Sequence, residues 1–394
     1  MNRVAVVAAT RTPIGTFQGM FANVAASHLG GVAIAEVLRR SGLASPQIDE
    51  VRMGQVYSTG AGANPARMAA VQAGLAYEVP ATTVNMLCGS GLKAVALGAE
   101  AILAGRAQAI VAGGMENMSQ APYVLPAARS GLRLGHQQLV DTMLRDGLWD
   151  AFYDCHMGST AEHLAEKYAI SREAQDRFAV LSQQRYQTAL QDGKFAQEIV
   201  PVAVPQKRGE PLLVERDEHP RENVQYEKLS SLPPCFQQGG SVTAANASGI
   251  NDGAAALLLV KESQLQPMDL QPLAWIRSFC DVGVDPMEMG MGPALAIKKL
   301  LQNESLHLED IDLLEINEAF AAQALSVGKS LDWDLDRVNV NGGAIALGHP
   351  VGASGARVAV TLLHEMHKRR SRLGIAALCI GGGMGIAMLF ENAQ

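Results

Sequence analysis

The chain alternates between short, wholly apolar runs and longer stretches in which apolar residues recur at helical spacing. Residues 4–9 read as a buried strand, closed by the turn Arg11-Thr12-Pro13-Ile14-Gly15. The spacing predicts a helix over 30–40 that stops at Ser41-Gly42, a strand over 48–56, a helix over 64–73 and an all-apolar strand over 109–114. The sharpest signal lies between the last two. There Val84-Asn85-Met86-Leu87 runs into Cys88-Gly89-Ser90-Gly91, and Ala94, Val95, Leu97, Ala101, Ile102 and Leu103 follow at helical intervals. This predicts strand, sharp elbow and buried helix, with Cys88 at the helix N-terminus. Unpaired N–H groups and the helix dipole favour an anion there, so a stabilised thiolate is expected. Apolar strands alternating with helices specify an α/β arrangement with a covered sheet.

From about 120 to 249 the pattern loosens, with more charge and proline. Amphipathic helices are predicted over 159–168 and 171–191, the second opening on a capping serine, and a polar surface loop over 207–226. The segment reads as an insertion laid over the α/β body. A third part then repeats the first. Ile48-Asp49-Glu50-Val51 has a counterpart in Ile311-Asp312-Leu313-Leu314. The order strand, elbow, helix and glycine-closed strand returns as Val338-Asn339, an elbow at Gly352-Ala353-Ser354-Gly355, a helix to about Lys368, and Leu378 to Gly383. The echo points to a duplicated α/β fold with chemistry where the halves meet.

Composition adds exclusions. The chain has 394 residues, enough for two or three domains, and a net charge of −7, which argues against a nucleic-acid or anionic-membrane partner. The five cysteines are scattered with no CxxC pair, so neither a metal site nor a disulfide framework is indicated. Residues 1–9 lack a signal-peptide layout, no apolar run is long enough to span a bilayer, and the final Glu391-Asn392-Ala393-Gln394 is not the peroxisomal tripeptide. The expected compartment is the cytoplasm.

Three C-terminal segments carry candidate chemistry: Asn317-Glu318-Ala319-Phe320 after the strand 313–316, the glycine-rich loop from Asn341 to His349-Pro350, and Cys379 ahead of Gly381-Gly382-Gly383. With Cys88 they make two thiols at glycine-flanked strand ends, one imidazole and one carboxamide, in the region of an α/β sheet where ligands bind.

These four blocks, in this order, resemble the signatures of the thiolase family. The resemblance covers the whole chain, including Arg11-Thr12-Pro13 and Ala247-Ser248-Gly249-Ile250-Asn251-Asp252-Gly253, and is strongest toward biosynthetic acetoacetyl-CoA thiolases. It implies two similar βαβ-type halves in a layered α-β-α-β-α fold. The expected units are 1–119 with about 241–268, an inserted CoA-covering loop domain over 120–240, and a C-terminal half over 269–394. The implied reaction is a reversible Claisen condensation of two acetyl-CoA to acetoacetyl-CoA and CoA. Cys88 would be the nucleophile, and His349 would activate it and serve in an oxyanion hole. Cys379 would be the general acid/base if the pocket brings its proton off near neutral pH. Asn317 would hold an oxyanion-hole water, and Gly381 would offer its backbone N–H to the second oxyanion.

The resemblance further implies CoA and acyl contacts at His156, Met157, Arg221, Phe236, Ala244, Ala247, Ser248, Met289 and Phe320. It implies no cofactor beyond the CoA thioesters and a homotetramer, a dimer of dimers, with the insertion near 120–145 involved. Met86-Leu87, Ile316 and Met384 depart from the family's commoner residues and leave the acyl-chain range open. The alternatives are a degradative 3-ketoacyl-CoA thiolase, a decarboxylating condensing enzyme that needs no second reactive cysteine, and a non-catalytic acyl-CoA carrier.

Overall fold

The computed structural model describes residues 3–394. Nine strands form the spine of one mixed sheet: β1 (Val4–Arg11), β2 (Glu50–Gly54), β3 (Ala81–Val84), β4 (Ala109–Asn117), β5 (Asn251–Lys261), β6 (Ala274–Gly283), β7 (Leu313–Ile316), β8 (Leu373–Ile380) and β9 (Met384–Asn392). Their order is β7-β8-β9-β6-β1-β5-β4-β2-β3. The two halves of this path mirror each other about a short antiparallel contact, Val4–Val6 of β1 against Ala274–Ile276 of β6. Within each half the outer strands pair in parallel and the inner ones antiparallel.

The duplication is visible atom by atom. Asp49 accepts the N–H groups of Gln108 and Ala109, and Asp312 accepts those of Arg372 and Leu373. Each aspartate thus ties the start of one strand to the start of its parallel neighbour. Val338 bridges Leu314 in parallel, at the place that β3 occupies beside β2.

Strand alternation sorts the core into layers. Leu257 and Leu259 face a central cluster with Ile110, Ala112, Leu378 and Met388, whereas Leu258 and Val260 face the helices Ala26–Ser41 and Pro65–Gln72. Between the half-sheets lie two central helices, Ser90–Leu103 and Val351–Arg369. The second is buried at every position from Val351 to Met366, as a helix covered on all sides must be. The helices Gly292–Glu304 and Ala321–Leu331 cover the outer face of the C-terminal half. The result is the layered α-β-α-β-α arrangement.

Two expectations are corrected. Residues 352–355 do not form an elbow: helix begins at Val351, directly after Pro350, and Gly352 to Gly355 are its first turns. The polar stretch 207–226 is not all loop. Leu212–Val214 pairs with Val202–Val204, and Val214 is buried against the N-terminal half. Elsewhere the segments shift by a few residues; for example, the helix expected over 159–168 is Met157–Lys167, capped by His156.

The first turns of the central helices meet backbone to backbone. A Cβ on Gly114 would lie 2.2 Å from the Gly352 carbonyl oxygen, one on Gly91 2.7 Å from the Ala356 nitrogen, and one on Gly355 2.3 Å from the Leu92 nitrogen. No side-chain rotation relieves such contacts, so Gly114→Ala is expected to lower unfolding free energy by about 1–3 kcal/mol. Gly283 has open space around it, so Gly283→Ala is expected to stay within about 0.5 kcal/mol. Denaturant titration of both variants checks the contrast.

Candidate active site

β3 ends at Val84, and the chain bends through Leu87, whose φ of 46° lies in the left-handed region. The bend is held locally: Asn85 Oδ1 accepts the Leu87 N–H, while Ser90 Oγ accepts the Met86 N–H and donates to the Leu87 carbonyl. The strained residue sets Cys88 just ahead of the helix Ser90–Leu103. The backbone N–H groups of Gly381 and of Cys88 itself lie near the Cys88 sulfur and favour its anionic form. Gly381 follows β8, so the other half of the molecule supplies one of these two N–H groups.

Cys379 lies at the end of β8, fully buried, and shares a cluster with Met157, Met289, Ala319, Phe320 and Phe236. Cys88 is close enough that its charge raises the Cys379 pKa. His349 precedes the second central helix; Asn251 Oδ1 accepts its backbone N–H at 2.8 Å. Ser354 Oγ donates to the Pro350 carbonyl at 2.9 Å and lies 2.5 Å from His349 Nδ1. A hydroxyl has one proton to give, so Nδ1 carries the hydrogen and Nε2 is left as the acceptor. On the Nε2 side stands Asn317 Nδ2 at 3.5 Å. Asn317 is fully buried, and its Oδ1 meets no protein donor among the described residues.

The charge states differ from the expected ones. Burial pushes the Cys88 thiol up to about 11, against the pull of the two N–H groups. Burial also drives Cys379 well above the ordinary thiol range, with Cys88 adding to it. Neither sulfur is a resting thiolate: at Cys88 two N–H groups and a helix terminus do not repay the hydration lost, and Cys379 has only its own N–H against its burial. Burial, followed by the positive charge of Arg357, lowers His349 to about 3. At neutral pH the resting site is two thiols and a neutral imidazole.

A cavity of about 370 Å³ opens onto these groups. Cys88, His349, Cys379, Gly381, His156, Met157, Arg221, Phe236, Ala244, Ala247, Ser248, Met289 and Phe320 all line it. Asn317 stands behind His349 rather than on the wall. His156 Nδ1 accepts the Gly158 N–H, and its ring stacks on Phe236 at 4.7 Å. Phe320 meets Phe236 edge-on at 6.1 Å. A Cβ on Gly158 would lie 2.3 Å from the Phe236 ring, so only glycine leaves that ring its place.

The cavity runs on to a second one past Arg221, whose exposed side chain forms no ion pair among the described residues. Sequence reasoning missed His219, which lines both cavities, and also Ser354 and Asn251, which fix His349. His219 stands two residues before Arg221 and could have been found with it. The other two act through contacts that no local pattern announces. Among the described residues no cluster of three or more His, Cys, Asp or Glu side chains is arranged to hold a metal ion. No helix among the described residues is long and apolar enough to cross a membrane.

Comparison with known proteins agrees with this geometry. The family model for the thiolase N-terminal domain matches residues 4–263, and that for the thiolase C-terminal domain matches 270–392. An acetyl-CoA acetyltransferase of Pseudomonas aeruginosa is 56% identical over 388 residues, spanning 98% of this chain and 99% of its own. One from Cupriavidus necator is 54% identical over the full length of both. The crystal structure of the Bacillus anthracis acetyl-CoA acetyltransferase superposes with a TM-score of 0.97 at 45% identity, covering 100% of this chain and 99% of that one. By its sequence and its fold alike, the chain belongs to the thiolase family.

Proposed function

We propose that the protein is an acetyl-CoA C-acetyltransferase, joining two acetyl-CoA into acetoacetyl-CoA and CoA, reversibly, through an acetyl-Cys88 intermediate. One observation carries the reading: two thiols from different halves of the fold, Cys88 half-buried and Cys379 buried, line one cavity with an imidazole whose free nitrogen is an acceptor.

The proton inventory closes. His349 Nε2 takes the Cys88 proton as the sulfur attacks the acetyl carbonyl. The departing CoA sulfur takes the Cys379 proton and leaves as free thiol. Cys379 is now a thiolate facing a protonated His349. A thiol with so high a pKa gives a strong base, and it removes the α-proton of the second acetyl-CoA. The imidazolium and a water on Asn317 hold the enolate oxygen. The enolate carbon attacks acetyl-Cys88, and the N–H groups of Cys88 and Gly381 receive the oxyanion. Collapse expels the Cys88 thiolate, which recovers its proton from His349.

Met157, Met289 and Phe320 crowd the Cys379 end, which favours a short acyl group over the longer chains of a degradative thiolase. Ala244, Ala247 and Ser248 would pass the pantetheine arm, and exposed Arg221 would meet the nucleotide phosphates. The reading needs no cofactor beyond CoA thioesters, no metal, and no nucleic-acid or membrane partner. It places the protein in the cytoplasm. A homotetramer is supported by exposed Tyr123, Leu132, Leu134 and Leu139 on and around the hairpin that pairs Tyr123 and Val124 with Val140 and Asp141, since such apolar exposure marks association surfaces.

Two measurements test this. Cys379→Ser is expected to lose condensation by at least about a thousandfold, yet still take labelled acetyl onto Cys88; loss of both, or of neither, contradicts the roles. Thiolysis is expected to fall steeply from acetoacetyl-CoA to 3-ketohexanoyl-CoA and longer substrates. A preference for long chains supports the degradative reading instead.

A further inference from the structure

Glu116, near the end of β4, is fully buried and forms no salt bridge among the described residues. Its carboxylate is met by three backbone N–H groups. Oε2 accepts from Val56 at 3.0 Å and from Gly352 at 2.8 Å, and Oε1 accepts from Tyr57 at 3.2 Å. Val56 and Tyr57 follow β2 in the N-terminal half. Gly352 lies in the first turn of the second central helix, three residues after His349, in the other half. That helix has no capping side chain of its own at Pro350, and its opening N–H groups need an acceptor. Glu116 supplies one from across the molecule, where the helix dipole also favours an anion.

Gly352 makes the contact possible, since a Cβ there would lie 2.7 Å from Glu116 Oε2. Ser354, which orients His349 Nδ1, sits in the same turn. The titratable groups around the carboxylate are Tyr57 after β2, Cys88 ahead of the first central helix, and Asp252 on β5. The second central helix meets it with the Gly352 N–H.

We propose that Glu116 is a positioning residue for the reaction, its ionised carboxylate fastening the His349-bearing turn to the half of the molecule that carries Cys88. The inference rests on the thiolase reading of His349 and Cys88. Burial raises the Glu116 carboxyl to about 7, and Asp252 adds to the rise. The carboxylate is therefore complete above that pH and lost below it. Activity through His349 should fall on the acid side as Glu116 takes its proton, although His349 itself, lowered to about 3, stays neutral there. Stability has the opposite sign. A carboxyl whose folded pKa is raised binds its proton more tightly in the folded chain, so this group's contribution declines as pH rises from the unfolded value toward about 7.

The experiment uses the full-length protein and acetoacetyl-CoA thiolysis from about pH 5.5 to about pH 9. Wild type is expected to show an acid limb near neutrality. In Glu116→Gln, kcat should fall about tenfold, KM should stay within about twofold, and the acid limb should disappear. Glu116→Asp, which keeps the charge, should retain a limb. Alkylation of Cys88 by iodoacetamide should be no slower in Glu116→Gln, since the variant removes a negative charge beside the thiol. An acid limb that persists in the Gln variant, an effect on KM alone, or an unchanged kcat overturns the proposal. Should Glu116→Gln fail to fold, the Asp variant decides: a limb at the wild-type position with wild-type kcat throughout overturns it, and a displaced limb with lowered kcat supports it. If wild type itself turns over no CoA thioester, it is the thiolase reading that fails.

Discussion

The structure depends on one close contact: the first turn of the helix Val351–Arg369 resting, without side chains between, on the N-terminal half. The Gly352 carbonyl oxygen lies where a Cβ on Gly54, Gly91 or Gly114 would be, at 2.7, 3.1 and 2.2 Å. Glycines from a strand, a helix and another strand thus clear one spot for one peptide group. Interiors are packed too tightly to absorb an extra methyl at such a point. The contact matters because the proposed nucleophile and its partners belong to different halves. Cys88 opens the first central helix, His349 leads into the second, and Cys379 closes a strand beyond it. Only the seating of the two helices against each other brings the three to one cavity.

The same seating buries Cys379 and His349 and half-buries Cys88, and that loss of hydration governs their charge. Burial holds both thiols protonated and the imidazole neutral. The site therefore spends no free energy on a buried ion pair while it waits for substrate. In the proposed mechanism charge appears only when an acyl group arrives to receive it, and each developing charge would have a fixed counterpart: an N–H pair at Cys88, an imidazolium at the enolate oxygen. On the proposed mechanism the arrangement trades resting reactivity of the sulfur for a base of high proton affinity at Cys379. The helix N-terminus at Cys88 contributes donors rather than a free-standing thiolate.

Much of this was legible in the sequence, because much of it is local. Cys88-Gly89-Ser90-Gly91 announces a sulfur open to approach at a turn into a helix. The repeated Ile-Asp pairs at 48–49 and 311–312 mark equivalent strand starts, and the structure shows the two aspartates making the same pair of hydrogen bonds. Other features depend on distant residues. Gly352 to Gly355 resemble the Cys88 elbow by composition, yet Pro350 before them and Glu116 across from them let helix start at once. A thiol pKa is set by everything that excludes water from it, so the stabilisation expected of a helix N-terminus is outweighed at Cys88 by burial. Asn251 and Ser354 act on His349 through single contacts that leave no periodic trace.

The central claim is that the Cys88 and Cys379 sulfurs face each other across one crevice. A short bis-electrophile such as 1,3-dibromoacetone, followed by peptide mapping, measures this directly. The account predicts one bridged product joining the Cys88 and Cys379 peptides, suppressed when acetyl-CoA is added first. Separate single adducts, or bridges from Cys88 to Cys155, Cys235 or Cys280 instead, would contradict it.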